Sequence, residues 1–151
     1  MNDSLYMEKA LELAKQALDE GEVPVGCVIV KNGLIVGTGR NRREKEKNVL
    51  AHAEIEAINE ACRTLGGWRL QDCELYVTLE PCVMCCGAII NARIKRVVFG
   101  AYDEKAGACV SCADMFDFPF VQRPQTVGGY MENECSKMLE DFFKSLRETK
   151  A

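Results

Sequence analysis

The sequence lacks any apolar run approaching the roughly 18 residues that a membrane-spanning helix needs. Its first residues, Met1–Ser4, contain neither a basic stretch nor an apolar stretch of the kind that opens a secretory signal. Internal repeats, low-complexity tracts and linker-like segments are also missing. We therefore predict a cytoplasmic protein without a membrane segment, folded as one domain over residues 1–151.

An excess of positive charge is missing as well, since the formal net charge is −4. This balance argues mildly against nucleic-acid binding, because the neutralisation of phosphates usually requires a basic surface. The basic residues are nevertheless clustered, in three groups: Arg40, Arg42, Arg43, Lys45 and Lys47; Arg93, Lys95 and Arg96; and Lys144, Arg147 and Lys150. Each group is either part of a nucleic-acid contact or an ordinary solvated surface.

The cysteines do not form the even set that a disulfide framework would use. There are nine, no secretory signal precedes them, and Cys82 and Cys85 form a Cys-x-x-Cys pair. Such a set indicates free and metal-bound thiols in a reducing compartment, so we predict no disulfides. Away from the motifs, the cysteines are expected to be small buried side chains: Cys27, Cys62, Cys73, Cys86 and Cys135.

Hydrophobic periodicity predicts helices and strands in alternation. A first helix, capped by Asp3 or Ser4, runs to about residue 20, and the Asn32-Gly33 pair then favours a type I′ hairpin between two β-rich runs, because both turn positions need positive φ. Pro81 is expected in the first turn of a later helix. The helix that Pro81 opens is expected to end near residue 91, and two further helices are predicted at 51–65 and from about 131 onward. The predicted strands are at 25–30, 34–38, 75–79, 96–101 and 125–127.

This order of segments predicts an α/β fold. Helices that alternate with strands favour three layers, α/β/α, around one five-stranded mixed sheet. The sheet should be antiparallel at the opening hairpin and parallel across the later crossovers.

The single histidine stands in Ala51-His52-Ala53-Glu54, and Pro81-Cys82-Val83-Met84-Cys85 follows downstream. A structural zinc is normally closed by four protein ligands, whereas a catalytic zinc keeps three and leaves the fourth position for water. We therefore predict one Zn²⁺ per subunit, held by His52, Cys82 and Cys85. Glu54 is left as the general base and acid. Because residues two apart do not share a face inside a helix, His52 and Glu54 must lie in an irregular first turn.

Other interpretations of the cysteine pairs remain open. Cys82 and Cys85 alone are compatible with a thioredoxin-like redox pair, although that motif usually follows the first strand of a βαβ unit. Cys109-Val110-Ser111-Cys112 is a second Cys-x-x-Cys, and four thiolates together would close a structural zinc site that leaves His52 and Glu54 without a role. We expect instead that Cys109 and Cys112 line a pocket or pack beside it.

The two metal-ligand segments match the signature of zinc-dependent base deaminases. Further matching segments are Glu22-Val23-Pro24-Val25-Gly26, Gly39-Arg40-Asn41-Arg42, Trp68-Arg69-Leu70, Leu75-Tyr76-Val77-Thr78-Leu79-Glu80 and Arg96-Val97-Val98-Phe99-Gly100-Ala101. Through these segments the chain, from Glu22 to Ala108, closely resembles the bacterial tRNA-specific adenosine deaminase family of the cytidine deaminase superfamily.

The resemblance implies a cytidine-deaminase-like fold, a homodimer and zinc-dependent hydrolysis of adenosine to inosine at the wobble position of tRNA, with release of ammonia. It also implies that Asn41 and the Ala53 backbone hold the flipped base and that Asp103 contacts the sugar or backbone of the nucleotide. Val23, Pro24 and Val25 would form an apolar pocket wall, or else are ordinary strand core. Glu80 resembles a residue that either supports the site from behind its ligands or takes part in a dimer contact.

The region from Cys109 to Pro124 departs from the family pattern of small residues after Gly107-Ala108 and an Asn-His pair before the last strand. Pro124 cannot donate a ladder hydrogen bond, so this region is altered. Because the region borders the substrate in the family, a second hypothesis is a deaminase of a free nucleobase or nucleoside of the guanine, cytosine or adenosine type. A third hypothesis is a zinc module without catalysis, in which Glu54 has no role in turnover.

Overall fold

The computed structural model describes residues 2–120 and 122–150. Of Lys150, it describes the backbone alone. Val121 and the side chain of Lys150 therefore lie outside the described part of the chain. The helices are α1 (Asp3–Asp19), α2 (Arg43–Glu46), α3 (Ala53–Leu65), α4 (Val83–Ala92) and α5 (Glu132–Lys150). The strands are β1 (Gly26–Lys31), β2 (Leu34–Arg40), β3 (Cys73–Leu79), β4 (Arg96–Ala101) and β5 (Gln125–Val127). The sequence did not predict α2 or the 3₁₀ turn Met115–Asp117.

The strands form one sheet in the order β2-β1-β3-β4-β5. Strand β1 pairs antiparallel with both β2 and β3, whereas β3, β4 and β5 pair in parallel. At the β1–β2 turn, Asn32 and Gly33 have φ values of 52° and 78°, as a type I′ hairpin requires. The predicted mixed sheet of five strands is confirmed.

Side chains of the three central strands alternate between two cores, one on each face of the sheet. Cys27, Leu75 and Val97 belong to the core that α3 and α4 cover, while Val28, Tyr76 and Val98 belong to the core that α1 and α5 cover. Strands buried on both faces need apolar residues at nearly every position, which explains their continuous apolar runs. The three-layer α/β/α arrangement is thus confirmed.

Helix α3 lies very close to strand β2 because two strand positions have no side chain. A Cβ atom at Gly37 would stand 2.3 Å from the Ala57 carbonyl oxygen, and one at Gly39 would stand 2.2 Å from the Ala53 carbonyl oxygen. Alanines at 53, 57 and 61 of α3 are fully buried in the same contact. This packing fixes the N-terminal end of α3, where the histidine motif begins.

Three helix starts differ from the prediction, and one of them is the start of α3, which begins at Ala53 and not at residue 51. Asn2 is the N-cap of α1, so Asp3 is already the first helical residue. Cys82 is the N-cap of α4, with φ −77° and ψ 176°, so Pro81 precedes the helix and does not lie in its first turn. The extended backbone at Cys82 moves the helix start by two residues.

Arg96 is a mostly buried structural residue, although the sequence places it in a basic cluster. Its side chain is only 11% exposed and pairs with Asp3 at 2.8 Å and Glu74 at 2.7 Å. The Tyr76 hydroxyl donates to Asp3 at 2.6 Å. The hydrogen bond from Arg96 lowers the pKa of Asp3 to about 2. The network ties the start of α1 to β3 and β4, so Arg96 is not available to an external phosphate.

Replacing Asp3 with Asn should lower the free energy of unfolding at neutral pH by about 1 kcal/mol, with solvent screening limiting the effect. Because the folded pKa lies below the unfolded value of about 3.9, the contribution is complete above that value and disappears as the pH falls towards 2. Urea denaturation at a series of pH values from neutral to about 3 should therefore show the free energies of unfolding of the two proteins converging.

The matched control for this experiment is Asp19→Asn, which removes an exposed partner of Lys15 on the same helix. We expect that change to cost no more than about 0.5 kcal/mol. A constant difference between Asp3→Asn and the parent chain at every pH would contradict the ion-pair explanation.

Among the described residues, no helix combines the length and the apolar character that would let it cross a bilayer.

Candidate active site

The N-termini of α3 and α4 converge on one site. His52 is the N-cap of α3, with an extended backbone at φ −82° and ψ 153°, and Ala53 is the first helical residue. His52 therefore lies outside the regular helix, and its side chain reaches the site shared with Glu54. The structure thus has the irregular first turn that the sequence required. Cys82 is the N-cap of α4, and Cys85 lies one turn further on.

The side chains of His52, Cys82 and Cys85 form a group that could hold a metal ion. Their ligand atoms all lie within 4.8 Å of one another. His52 Nδ1 lies 3.7 Å from Cys82 Sγ and 3.7 Å from Cys85 Sγ. A tetrahedral Zn²⁺ with bonds of about 2.3 Å to sulfur and about 2.0–2.1 Å to nitrogen would separate these atoms by about 3.6 Å. The donor set and its spacing therefore fit zinc.

The pKa values of the two cysteines of this group shift in opposite directions. A hydrogen bond from Cys85 lowers the pKa of Cys82 to about 3, and His52 acts in the same direction. The hydrogen bond to Cys82, together with burial, raises the pKa of Cys85. The hydrogen bond with Cys82 also raises the pKa of His52. A thiolate at a helix N-terminus is the form that a metal ion binds.

Glu54 is a buried carboxyl group beside the metal-binding group, with only 4% of its surface exposed. Burial raises the pKa of Glu54 to about 7, and the negative charge of Cys82 contributes to the increase. A carboxyl group with a pKa near neutrality can both accept and donate a proton at physiological pH. Glu54 therefore has the properties that a proton shuttle needs.

A pocket of about 840 Å³ opens over this group. Its wall includes Asn41, Ala53 and Asp103, the three residues that the sequence suggested for substrate contact. Val23 and Val25 also line it, whereas Pro24 is buried outside the lining. The structure therefore brings the predicted site residues together around one cavity.

Hydrogen bonds to the protein fix the side chains of Asn41 and Asp103. Asn41 Nδ2 donates to the Val23 carbonyl at 3.2 Å, and its Oδ1 accepts from the Arg43 N–H at 3.1 Å. The amide keeps one further N–H and one oxygen lone pair for a ligand. Asp103 Oδ1 accepts from the N–H groups of Lys105 and Ala106, each at 3.1 Å. Ala53 begins α3, where a backbone N–H has no partner within the helix.

Known proteins share this sequence and geometry. A family described as MafB19-like deaminase matches residues 1–147. The tRNA-specific adenosine deaminase of Bacillus subtilis (strain 168) is 46% identical over 149 residues, which make up 98% of this chain and 92% of that protein. The chain belongs to the tRNA-specific adenosine deaminase family. It is a hydrolase of the deaminase class.

Solved structures support this membership. A structure from work on A-to-I editing by tRNA:A34 deaminases has a TM-score of 0.87 and 42% sequence identity, and the match covers 90% of this chain and 99% of that one. A guanine deaminase from Bacillus subtilis has a TM-score of 0.66 and 33% identity, with 98% of this chain and 95% of that one covered. The fold of the deaminase is therefore the cytidine-deaminase-like fold that the resemblance implied.

Sequence reasoning did not assign several pocket residues of the deaminase. Tyr102 lies in the wall, and its ring packs edge-on against Phe99 with centroids 5.1 Å apart. Phe143 and Arg147 on α5 border the same pocket. The amphipathic pattern of α5 places apolar residues on one face, but it does not indicate which of them reach the site rather than the core.

The structure separates the basic residues of the deaminase into paired and unpaired groups. Arg40 and Lys45 both pair with Glu20, and Arg42 pairs with Glu56. By contrast, three exposed cations line the pocket and take part in none of the ion pairs among the described residues: Arg43, Lys105 and Arg147. Most of the first basic cluster is therefore neutralised within the protein.

The second Cys-x-x-Cys pair lies apart from the metal-binding group. Cys109 is buried with its Sγ 3.6 Å from Cys86 Sγ, and Cys112 is exposed. Neither belongs to the group of possible metal ligands found among the described residues. Of residues 109–120 and 122–124, none lines the pocket. Phe116 anchors this region in the core, and the expectation that the region borders the substrate stays a prediction.

Proposed function

We propose that this deaminase hydrolyses adenosine to inosine at the wobble position of tRNA and releases ammonia. The observation that carries the proposal is one pocket that is lined by His52 and Cys82 of the metal-binding group and extends to Arg147 on α5. The named relatives, including one that is 46% identical, support the same substrate. The proposal includes a single domain over residues 1–151, a homodimer and a cytoplasmic location.

In this proposal His52, Cys82 and Cys85 hold one Zn²⁺ per subunit, and zinc supplies electrophilic activation of water near neutral pH. Glu54 takes a proton from the attacking water and delivers protons to the ring nitrogen and to the leaving amine. The C6–O bond forms first, as the ring nitrogen gains one proton of the water. The C6–N bond then breaks as the amine gains the other proton, so water is consumed and ammonia leaves. Burial of Glu54 keeps bulk water from competing for these protons.

Asn41, Ala53 and Asp103 hold the nucleotide in this proposal. The remaining N–H and lone pair of Asn41 suit the edge of a purine, and the free backbone N–H at Ala53 provides another donor. Asp103 Oδ2 stays available for a ribose hydroxyl, because Oδ1 serves its own turn. A base in this pocket must leave its stack, which is easier for a loop nucleotide than for a paired one.

Binding of an anticodon stem-loop should depend on salt. If Arg43, Lys105 and Arg147 each neutralise one phosphate, the logarithm of the association constant should fall with the logarithm of the salt concentration, at a slope of about −2. Arg147→Ala should reduce the slope by about 0.7. The matched control is Lys137→Ala, because Lys137 lies on the same helix and pairs with Asp141 at 3.0 Å. A slope of zero for the unmodified protein would contradict phosphate contact.

Deamination of a free base is the second candidate function. The structural similarity to a guanine deaminase favours it, as does the acidic net charge of −4. This candidate requires that the pocket accept a ligand without phosphate, and catalysis would then be insensitive to salt.

Ammonia release distinguishes the two candidates. Zinc-loaded protein is incubated with an ACG anticodon stem-loop and, in parallel, with adenosine, guanine and cytosine. Release from the stem-loop alone, with inosine at the first anticodon position, is the expected result. Release from a small molecule alone would replace the tRNA proposal with the second candidate. A stem-loop whose first anticodon base is guanosine serves as the matched control.

A further inference from the structure

Glu80 is a buried carboxylate that the proposed chemistry does not use. It follows the last residue of β3 and is 2% exposed. Its Oε1 accepts hydrogen bonds from the Asp103 N–H at 3.1 Å and from the Ser111 hydroxyl. Its Oε2 accepts from the N–H groups of Cys109, Val110 and Ser111 at 3.2, 2.8 and 2.9 Å. Five donors therefore converge on one carboxylate.

These donors lie at both ends of the loop 103–111, which leaves the sheet and returns to Glu80. Between its ends, residues 103–106 form part of the pocket wall, and Tyr102 adjoins them. Two backbone contacts close the loop: Gly107 N–H donates to the Asp103 carbonyl at 2.8 Å, and Ala108 N–H donates to the Pro81 carbonyl at 2.9 Å. The loop thus has its main attachment at Glu80.

Gly107 leaves the space that this attachment needs. A Cβ atom at Gly107 would stand 2.3 Å from the Glu80 carboxyl carbon and 2.4 Å from its Oε1. Contacts that short require either the carboxylate or the loop backbone to move. The sequence therefore provides two independent ways to disturb one contact, through the carboxylate or through the glycine.

We propose that Glu80 is a positioning residue, which holds the loop 103–111 so that Asp103 and its neighbours form the substrate-binding wall of the pocket. This inference rests on the proposed function and assigns Glu80 to substrate affinity. Glu80 itself borders the pocket, but its hydrogen bonds all go to Asp103, Cys109, Val110 and Ser111. Its effect reaches the substrate through Asp103, whose backbone N–H it holds.

A carboxylate is needed at this place because every group that faces it is a donor. Glutamine would direct an NH₂ group at N–H or O–H donors in either orientation of its amide, since each oxygen of Glu80 accepts at least two hydrogen bonds. Aspartate would keep the charge, but its shorter side chain would not reach both ends of the loop. Neither residue can therefore replace Glu80 fully.

The test compares Glu80→Gln and Gly107→Ala with the parent protein. For an anticodon stem-loop, KM should rise about tenfold in both variants while kcat stays within about threefold, as expected from the loss of hydrogen bonds to a charged acceptor. Zinc content should remain one per chain. Amide exchange at Cys109, Val110 and Ser111, measured by NMR without substrate, should become at least about tenfold faster in both variants.

Glu74→Gln is the matched control, because Glu74 is a partly buried carboxylate that pairs with Arg96 far from the pocket. It should change stability but neither KM nor the exchange of residues 109–111. If Glu80→Gln does not fold, Ser111→Ala removes one of the five hydrogen bonds and should raise KM by about threefold.

A fall in kcat at unchanged KM, or a loss of zinc, would overturn the positioning role, and so would unchanged exchange at residues 109–111. Failure of the proposed function is a separate outcome: the parent protein itself would not deaminate the stem-loop. In that case the exchange measurement still decides whether Glu80 holds the loop.

Discussion

Replacing Glu54 with Gln should lower the turnover number by about 10²–10⁴-fold, the usual contribution of a general acid–base group. Glutamine has a similar shape but cannot carry a proton between water and the leaving amine. The fold should not suffer, because burial disfavours the charged form of Glu54 and a neutral amide avoids that cost. Single-turnover deamination and metal analysis of the same preparation measure both effects.

Glu56→Gln is the matched control for this prediction. Glu56 lies in the same first turn of α3, but its side chain contacts Arg42 at 3.7 Å and does not line the pocket. We expect it to retain full turnover. If Glu54→Gln retained turnover as well, Glu54 would have no part in proton transfer, and the non-catalytic zinc module would become the better interpretation.

Replacing Cys82 with Ser should remove both the metal and the activity. Serine offers a neutral hydroxyl in place of a thiolate, and zinc prefers the softer sulfur ligand. The loss of metal affinity should exceed the roughly 10–100-fold that follows removal of a supporting residue. Metal content after dialysis against a weak chelator, measured beside turnover, should show the two quantities falling together.

Cys112→Ser provides the control, because Cys112 is exposed and lies outside the metal-binding group. It should keep one zinc per chain and full turnover. Loss of zinc from Cys112→Ser, in addition to its loss from Cys82→Ser, would instead favour the site of four thiolates.

Much of the fold could be predicted because its signals are local. The Asn32-Gly33 pair specifies its own turn, since positive φ at two adjacent positions depends on those residues alone. Strand β4, Arg96–Ala101, and strand β5, Gln125–Val127, begin and end as predicted. By contrast, α2 was missed because its four residues have no apolar face, and buried Glu22 holds its start by accepting from the N–H groups of Glu44 and Lys45.

The metal-binding residues could also be predicted, for a related reason. His52 and Glu54 share one helix start, as do Cys82 and Cys85, so spacing along the chain determines the geometry within each pair. The roles of single charged residues could not be predicted in this way. Arg96 belongs to a basic cluster in the sequence, yet its partner Asp3 lies 93 residues away, and only the packing of α1 on the sheet joins them.

By itself, the sequence determined the hairpin, most of the strands and the geometry within each half of the metal-binding group, because each depends on neighbours within a few positions. Among the described residues, the tertiary structure decided which cations remain unpaired at the pocket, where the segment that begins at Cys109 lies, and which N–H groups donate to the Glu80 carboxylate. These features depend on contacts between residues far apart in the chain, and such contacts exist only after the helices and strands have packed.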